Sequence, residues 1–461
     1  MGFNQNSVLG LFACIALCSS ASASDCTKTS TGLIPLNDLG KSLYLGEMGG
    51  LYPEGMNRRP AAHEASGLEI AQGIVPLDAA GNPDPNGKVV LLSIGMSNAT
   101  QEWSAFMSLA LQDPDLNSRL VIVDGAEGGR DARDISNPGS TYWSQTIPSR
   151  LANAGVTAAQ VQVLWLKEAV ARPTASFPDD ALELQGLLES IVQILKDLFP
   201  NSEVTYLNSR SYAGYAGTDL NPEPYAYQQG FAIKWLIEDQ ISGDPDLNYD
   251  PDAGPVEAPW LSFGVYMWAD GLVARSDGMT WVCADFRDDG THPSDQGRRK
   301  VAELLLHHFK SDLTSTPWFL ETGSGHCGVP AFADLYGTGT SGTNGVPHLI
   351  TMTLPVIPSA DPFGFLIHSA RPNSTAFFLV GVTPLADFEV PLEGGSLLVL
   401  PILLFPRPTD PAGVATLPLG FLPDDPALCG AIAYVQGLVF DPLGPTGKLA
   451  HTQGMEVVAG D

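Results

Sequence analysis

The segment VVLLSIGMSN, residues 89–98, is the strongest indication of fold class in this chain. It opens with a short continuous apolar run, 89–94, which is typical of a strand buried on both faces of a parallel sheet. A tight turn and the start of a helix come directly after the run. Further apolar runs of this kind occur at 120–123, 161–166, 204–207 and within 260–268.

Helical segments separate these runs. In 180–199, leucine and isoleucine residues recur at the spacing of one helix face. A second helix is predicted over 294–310, just after Pro293. Strands that alternate with helices predict an open parallel α/β sheet. We therefore expect an α/β domain over 88–320.

The sequence pattern changes after Pro317, where Gly, Pro and Thr separate short apolar runs. The strongest predicted strands of this region are 377–382, 396–404 and 431–440. This pattern predicts an all-β sandwich or jelly-roll domain over 325–461. It loosely resembles a β-rich C-terminal module of secreted bacterial proteins, a resemblance that implies no activity. Residues 24–87 are rich in Gly, Pro and Asn and predict an extended segment that wraps around the first domain.

The N-terminus resembles a secretory signal peptide over 1–23. An apolar run at 8–17 is followed by small residues that end in Ala21-Ser22-Ala23, which fits the apolar region and cleavage site of such a signal. The run is too short to span a bilayer, and no later apolar stretch is long enough, so we expect no transmembrane helix. The predicted location is secreted or extracytoplasmic.

Cysteine usage is consistent with export. Cys26, Cys283, Cys327 and Cys429 remain once the signal is removed, and no CxxC occurs. Four cysteines allow three pairings, of which the division into domains favours Cys26–Cys283 with Cys327–Cys429. The alternative is that one or both pairs stay reduced.

The chain is strongly acidic, with 23 Lys and Arg against 51 Asp and Glu and a formal net charge of −28. Such a chain repels phosphate backbones, which argues against nucleic acid as a partner. The same charge argues against attachment to an anionic membrane surface. The composition leaves the oligomeric state open.

Polar residues come after the predicted strands, at the edge where ligands bind in open parallel sheets. Ser97 is close behind the first strand, and a glycine-containing loop, 124–130, comes after the second. Far downstream, Asp289 and His292 lie three residues apart in a turn before a helix. These are the parts of a Ser-His-Asp triad, with Ser97 as nucleophile, His292 as base and Asp289 as the orienting acid.

At these residues the sequence resembles the SGNH (GDSL-like) hydrolase superfamily over roughly residues 88–312. The resemblance rests on 95–98 (GMSN) as the first block and 289–292 (DGTH) as the D-x-x-H block, and 123–133 is similar to the second block of rhamnogalacturonan acetylesterases. It implies a flavodoxin-like, three-layer α/β fold and hydrolysis of carboxylic esters without metal or organic cofactor. The G-x-S-x-G elbow of α/β-hydrolases is absent, because Ala99 stands at its second glycine.

The resemblance also implies an oxyanion hole formed by the backbone N–H groups of Ser97 and Gly129. The third block departs from the family pattern, because Lys167 stands where the family has its side-chain donor, an asparagine. Lys167 could supply a charged donor, or it could pair with Glu168 or point away. Both interpretations stay open.

Other residues are candidates for binding. Arg130, Arg210, Tyr212 and Tyr215 lie in loops after the predicted strands and are candidates for substrate binding, with ordinary packing as the alternative for the tyrosines. The acidic residues of 244–252 alternate along a loop, but Tyr249 and Pro255 stand where an EF-hand needs glycine and glutamate. We therefore predict a solvated acidic turn there and no metal site, with calcium binding by this loop as the alternative that the sequence leaves open.

The sequence leaves more than one function open. The first is a secreted serine esterase that acts on carboxylic esters such as acylated polysaccharides, with the β domain aiding attachment or substrate binding. The second is a catalytically degenerate hydrolase scaffold that binds glycans, with Met96 and Lys167 as signs of lost activity. The third is a structural or adhesive surface protein that acts through its β domain.

Overall fold

The computed structural model describes residues 23–321, 331–357, 359, 362–385, 390–423 and 428–460. Residues 1–22 of the predicted signal peptide, and Cys327, lie outside the described residues. A parallel sheet with helices occupies the first described range, and antiparallel sheets lie beyond residue 331. The predicted order of an α/β domain followed by a β domain is therefore present.

The N-terminal segment packs on the α/β core through buried groups. Its elements are α1 (Leu36–Leu39), β1 (Leu43–Tyr44), β2 (Glu47–Met48) and α2 (Ala61–Gly73). The backbone N–H of Leu36 donates to the Tyr266 hydroxyl at 3.0 Å. The hydroxyls of Tyr52 and Ser262 lie 2.9 Å apart and share a buried hydrogen bond. These contacts hold the segment against the core.

A parallel sheet forms the centre of the first domain. Its strands are β3 (Val89–Gly95), β4 (Leu120–Asp124), β5 (Val161–Lys167), β6 (Val204–Leu207) and β7 (Trp260–Phe263). They lie in the order β4-β3-β5-β6-β7, and every adjacent pair is parallel. All residues of β3 and β5 are buried, as their continuous apolar sequences predict. The chain changes direction across the sheet at β3 and β5, which is where ligands bind in such sheets.

Helices cover both faces of this sheet. They are α3 (Ser97–Ala110), α4 (Ala132–Ile135), α5 (Ile147–Asn153), α6 (Asp179–Leu198), α7 (Tyr225–Ser242), α8 (Asp295–Ser311) and α9 (Thr316–Phe319). Single 3-10 turns occur at Pro53–Gly55, Ala158–Gln160, Pro245–Leu247 and Cys283–Asp285, and a π-helical turn at Tyr142–Thr146. Because parallel crossovers are right-handed, the change of direction places α3 and α8 on one face and α6 and α7 on the other. The members of each pair pack against each other.

Helix α2 is a feature that the sequence pattern does not predict. Its buried residues are His63, Gly67 and Ala71, which form no apolar stripe. The helix is held by close packing on β7, because a Cβ on Gly67 would lie 2.3 Å from the ring of Trp260. His63 Nε2 lies 2.8 Å from the carbonyl oxygen of Leu261. The position of α2 therefore depends on its contacts with β7 and not on an apolar pattern in its own sequence.

The second domain consists of antiparallel strands. They are β8 (Phe332–Tyr336), β9 (His348–Thr351), β10 (Phe363–His368), β11 (Thr375–Gly381), β12 (Val390–Leu392), β13 (Gly395–Leu397), β14 (Leu403–Pro408), β15 (Ala415–Gly420), β16 (Ile432–Phe440) and β17 (Leu449–Val458). One sheet has the order β14-β11-β16-β17-β8 and another β15-β10-β9, while β12 pairs with β13. Phe365 and Ile367 of β10 share one core with Phe378 of β11 and Val435 of β16. The two larger sheets thus pack face to face around this core.

The predicted strands of this domain are present with one exception. Strands β11 and β16 correspond to the predictions at 377–382 and 431–440. The predicted single strand at 396–404 is wrong, because β13 ends at Leu397 and β14 begins only at Leu403. Pro401 lies between them, and a proline has no N–H to donate to a neighbouring strand.

A disulfide joins the N-terminal segment to the region before α8. Cys26 and Cys283 are bonded, with their Cα atoms 5.4 Å apart, which is the first of the predicted pairs. The Cys327–Cys429 pair stays a prediction, since Cys327 is not among the described residues. Within the described ranges no helix is both long enough and apolar enough to cross a membrane.

Candidate active site

Ser97 lies at the start of α3, directly after the turn that ends β3. The turn is tight: a Cβ on Gly95 would lie 2.4 Å from the carbonyl oxygen of Lys167 and 2.5 Å from the Cβ of Ala99. Only glycine fits there without movement of the backbone. The turn presents Ser97 at the carboxyl edge of the sheet, where the first backbone N–H groups of α3 have no intrahelical partner.

His292 and Asp289 meet Ser97 at this edge. The Ser97 Oγ and the His292 Nε2 lie 2.9 Å apart. On the other side of the ring, His292 Nδ1 lies 2.6 Å from Asp289 Oδ2. The side chains of His292 and Asp289 are 20% and 25% exposed, so solvent and small molecules can reach them. The three residues that the sequence predicts as a triad are thus joined by hydrogen bonds.

The loop that carries Asp289 and His292 is fixed by its own backbone. Asp289 Oδ1 accepts hydrogen bonds from the backbone N–H groups of Thr291 and His292, each at 2.9 Å. Partial burial alone would raise the pKa of Asp289, but these hydrogen bonds and the His292 ring lower it below its usual value. Asp289 is therefore ionised at neutral pH and favours a proton on Nδ1, which leaves Nε2 free to accept from Ser97.

Two neighbouring elements hold this loop against α3. The Asn98 side-chain amide donates to the carbonyl oxygen of Thr291 at 2.9 Å. The backbone N–H of Gly217 donates to the carbonyl oxygen of Asp289 at 2.9 Å. Because Asn98 is the residue next to Ser97, the helix turn that carries the nucleophile also holds the loop that carries His292.

The glycine loop after β4 approaches Ser97 through Gly128. A Cβ on Gly128 would lie 3.5 Å from the Cβ of Ser97, whereas one on Gly129 would have no atom within 4 Å. Gly129 has a φ of +84°, which favours glycine. The Glu127 N–H donates to the Gly95 carbonyl at 2.9 Å and ties this loop to β3. Gly129 stays a predicted oxyanion donor, and Gly128 is a second candidate that the sequence pattern does not indicate.

Lys167 is buried and paired. Its ammonium donates to Glu102 Oε2 of α3, and Met267 Sδ lies 3.7 Å away. Only 2% of Lys167 and 1% of Glu102 are exposed. Burial lowers the pKa of Lys167, while the charge of Glu102 opposes this shift. Of the alternatives left open by the sequence, pairing is what the structure has, with Glu102 rather than Glu168 as the partner.

The predicted substrate-binding residues have different environments. Arg130 forms ion pairs with Glu127 at 2.7 Å and Asp134 at 3.0 Å. The rings of Tyr212 and Tyr215 are buried and meet edge to face at 5.0 Å, and their hydroxyls donate to backbone carbonyl groups. Both tyrosines therefore pack the loop after β6 and do not offer a face for a substrate.

Arg210 is also buried but has no such partner. It is 3% exposed, and its Nε has no hydrogen-bond partner among the residues that the structure describes. Burial lowers its pKa, and glutamates in its surroundings oppose this shift. Among the predicted substrate-binding residues, Arg210 is the one whose polar atoms are least satisfied.

The acidic loop 244–252 uses its carboxylates for its own turns. Asp244 Oδ1 accepts from the N–H of Asp246 at 3.0 Å, and Asp250 Oδ1 accepts from the N–H of Asp252 at 2.8 Å. In the part of the chain that the structure describes, no group of three or more His, Cys, Asp or Glu side chains is arranged to hold a metal ion.

No protein-family model matches the sequence, and no curated protein matches it either. Among solved structures, this chain is similar to the protein YxiM from Bacillus subtilis at 12% identity and a TM-score of 0.29, covering 50% of this chain and 58% of that one. It is similar to the periplasmic domain of a lipopolysaccharide acetyltransferase from Salmonella Paratyphi A at 14% identity and a TM-score of 0.26, covering 53% and 94%.

Proposed function

We propose that this protein is a serine esterase of the SGNH (GDSL-like) type that hydrolyses carboxylic esters. The observation that carries the proposal is the hydrogen-bonded series from Ser97 Oγ to His292 Nε2, at 2.9 Å, and from His292 Nδ1 to Asp289, at 2.6 Å. A hydroxyl that faces an imidazole, which in turn is oriented by a carboxylate, is the arrangement that activates a serine.

The reaction proceeds in two acyl transfers. Ser97 Oγ attacks the ester carbonyl carbon as His292 Nε2 takes the hydroxyl proton. The resulting imidazolium is stabilised by Asp289, and it gives its proton to the departing alcohol when the C–O bond of the ester breaks. Water then attacks the acyl-enzyme, again losing a proton to His292, and the carboxylic acid leaves as Ser97 recovers its proton.

Backbone N–H groups are the candidates for stabilising the negatively charged oxygen of the intermediate. The N–H of Ser97 is at the start of α3, where the helix dipole favours negative charge. A second N–H comes from the glycine loop, with Gly129 as the residue of the resemblance and Gly128 as the residue packed on Ser97. Preorganised donors of this kind are typically worth roughly 10²–10³ in rate each.

The proposed substrates are acylated carbohydrates, and the proposed location is extracytoplasmic. The substrate class is inferred from the similarity of residues 123–133 to the second block of rhamnogalacturonan acetylesterases. The location is inferred from the predicted signal peptide together with the Cys26–Cys283 disulfide. Stable disulfides are typical of oxidising compartments. The β domain is then an accessory domain for attachment or substrate binding.

A second candidate is a degenerate scaffold that binds glycans without turnover. It is favoured by one observation, the commitment of Lys167 to Glu102 at the position where the resemblance places an asparagine donor. An oxyanion hole that lacks this donor is weaker, and loss of one donor is enough to reduce turnover severely.

Hydrolysis of 4-nitrophenyl acetate and labelling by a fluorophosphonate separate the two candidates. The wild-type chain should hydrolyse the ester and label stoichiometrically, while Ser97→Ala should do neither. Ser104→Ala is the matched control, since Ser104 lies on the same helix with its hydroxyl bonded to the carbonyl of Thr100. A folded wild-type protein that neither labels nor turns over ester would refute the esterase and leave the binding scaffold.

A further inference from the structure

Arg210 is a buried cation that forms no ion pair or side-chain hydrogen bond within the described residues, and it lies at the edge of the sheet that carries the candidate active site. It lies just after Leu207, the last residue of β6. Its Nε is buried and unpartnered, and none of the carboxylates that influence Arg210 forms a hydrogen bond with it in the described part of the chain. An unpaired buried charge is strongly destabilising. Such a group therefore requires an explanation.

Each of the surrounding carboxylates accepts a hydrogen bond from a group other than Arg210. Glu102 holds the ammonium of Lys167. Glu223 accepts hydrogen bonds from backbone N–H groups and from an indole N–H. Burial raises the pKa of Glu168 well above its usual range, and its Oε2 accepts from the backbone N–H of Ala169 at 3.2 Å. Among the described residues these three carboxylates act on Arg210 through their charge and not through a hydrogen bond, so its N–H donors remain for a group from outside the chain.

The position of Arg210 connects it to the catalytic loop. Its loop contacts the segment of Asp289 and His292 through Gly217, whose N–H donates to the Asp289 carbonyl at 2.9 Å, and through Thr218, whose hydroxyl lies 2.7 Å from that of Thr291. β3 and β6 end at the same edge of the parallel sheet. Ser97 and Arg210 therefore emerge on the same side of the domain.

A second buried polar side chain in the same loop also lacks partners. Asn208 is 1% exposed, and both its Oδ1 and its Nδ2 are buried with no hydrogen-bond partner in the described ranges. Polar atoms after β6 therefore exceed the partners that the protein supplies. A guanidinium with a fixed fork of donors matches a carboxylate with two parallel hydrogen bonds.

We propose that Arg210 binds a carboxylate of the substrate, so that the protein acts on esters whose acid or alcohol part is itself anionic. This inference rests on the proposed esterase function and names its substrate class. The net charge of −28 repels anions in general. A local cation offsets this repulsion at the place where an anionic ester binds.

Matched pairs of esters test the proposal. Mono-4-nitrophenyl glutarate is compared with 4-nitrophenyl butyrate, and 4-acetoxybenzoate with its methyl ester. Arg210→Gln should lower kcat/KM about 10- to 100-fold for the anionic member of at least one pair, as expected for charge-assisted hydrogen bonds, and less than about threefold for the neutral member. Arg210→Lys should lie between, since it keeps the charge but not the fork.

The control is Arg299→Gln, which removes a side chain that is 77% exposed and lies on α8. Equal losses for both members of each pair in Arg210→Gln and Arg210→Lys would overturn the proposal and assign Arg210 a structural role. Thermal unfolding of each variant establishes that it is folded, and Arg210→Lys serves as the test if Arg210→Gln is not.

Binding without turnover separates this inference from the proposed function. 4-Acetoxybenzoate is titrated into Ser97→Ala and into Ser97→Ala/Arg210→Gln by calorimetry. Binding that disappears with Arg210 supports the carboxylate site even if the wild-type chain hydrolyses no ester. Binding that survives in the double variant, or no binding to either protein, overturns it whatever the esterase assays show.

Discussion

Replacing Asp289 by asparagine keeps the shape of the side chain and removes its charge. Asp289 Oδ2 lies 2.6 Å from His292 Nδ1, and Oδ1 accepts from two backbone N–H groups at 2.9 Å. In Asp289→Asn the amide oxygen keeps the backbone hydrogen bonds, so the NH₂ group faces Nδ1. A donor there forces the ring proton onto Nε2, which then donates to Ser97 and no longer accepts its proton.

The expected loss is about 10⁴-fold in kcat, the size seen when a triad histidine is held in the wrong tautomer. This corresponds to roughly 5.5 kcal/mol of transition-state stabilisation. KM should change little, because Asp289 reaches the substrate only through His292. The fold should be retained, since the backbone hydrogen bonds to Oδ1 can still form.

The assay is hydrolysis of 4-nitrophenyl acetate by Asp289→Asn beside Asp288→Asn, with thermal unfolding of both. Asp288 is the matched control because it is the preceding residue and its side chain is exposed. A folded Asp289→Asn variant that retains more than about a tenth of the wild-type kcat would refute the assignment of Asp289 as the orienting acid.

Three further predictions concern stability. Gly95→Ala should destabilise the fold by about 3 kcal/mol or more in chemical denaturation, because the new Cβ would lie 2.4 Å from the carbonyl oxygen of Lys167. Gly186→Ala on α6 is the control, since a Cβ there would have no atom within 4 Å, and it should be neutral or stabilising. Glu102→Gln should lower the free energy of unfolding by about 3–5 kcal/mol, because it leaves Lys167 buried without its charged partner. The double variant Glu102→Met/Lys167→Met should recover most of this loss. An unchanged denaturation midpoint in Glu102→Gln would contradict the buried pair. Burial alone would raise the pKa of Asp312, but the guanidinium of Arg59 at 2.8 Å lowers it from 3.8 to about 2. The Arg59–Asp312 pair should therefore stabilise the fold by roughly 2 kcal/mol above pH 3.8, and this contribution should be lost as the pH falls toward 2. The difference in the free energy of unfolding between the wild-type chain and Asp312→Asn, measured by chemical denaturation, should therefore become smaller as the pH falls. A difference that stays constant between about pH 7 and pH 2 would contradict this linkage.

The central sheet is the part of the fold that local sequence predicts best. A strand buried on both faces, such as β3 or β5, must be apolar at nearly every position, so its pattern is visible without any knowledge of its neighbours. The same holds for α6, whose apolar stripe reports one buried face. By contrast, α2 buries a histidine, a glycine and an alanine, and only the presence of Trp260 beside Gly67 makes this face a packing surface.

The chemistry of the candidate site divides in the same way. Ser97 could be selected from the sequence because it closely follows a parallel strand, and Asp289 and His292 because they lie three residues apart in a turn before a helix. The structure places Ser97 and Asp289 each within hydrogen-bond distance of His292. The partner of Lys167 could not be selected, since Glu102 is distant in sequence and meets it only when α3 packs on β5. The burial of Tyr212 and Tyr215 and the missing partner of Arg210 are likewise properties of the packed loop after β6.

Local sequence is therefore sufficient to predict the parallel strands and the long helices, because their burial produces a short apolar pattern. It is also sufficient to select the polar residues that come directly after the strands. Tertiary packing alone selects which charged side chains are paired and which are left without a partner. The cause is that an ion pair or a buried hydrogen bond joins residues far apart in sequence. Its energy depends on a distance and a degree of burial that do not exist until the helices have packed on the sheet.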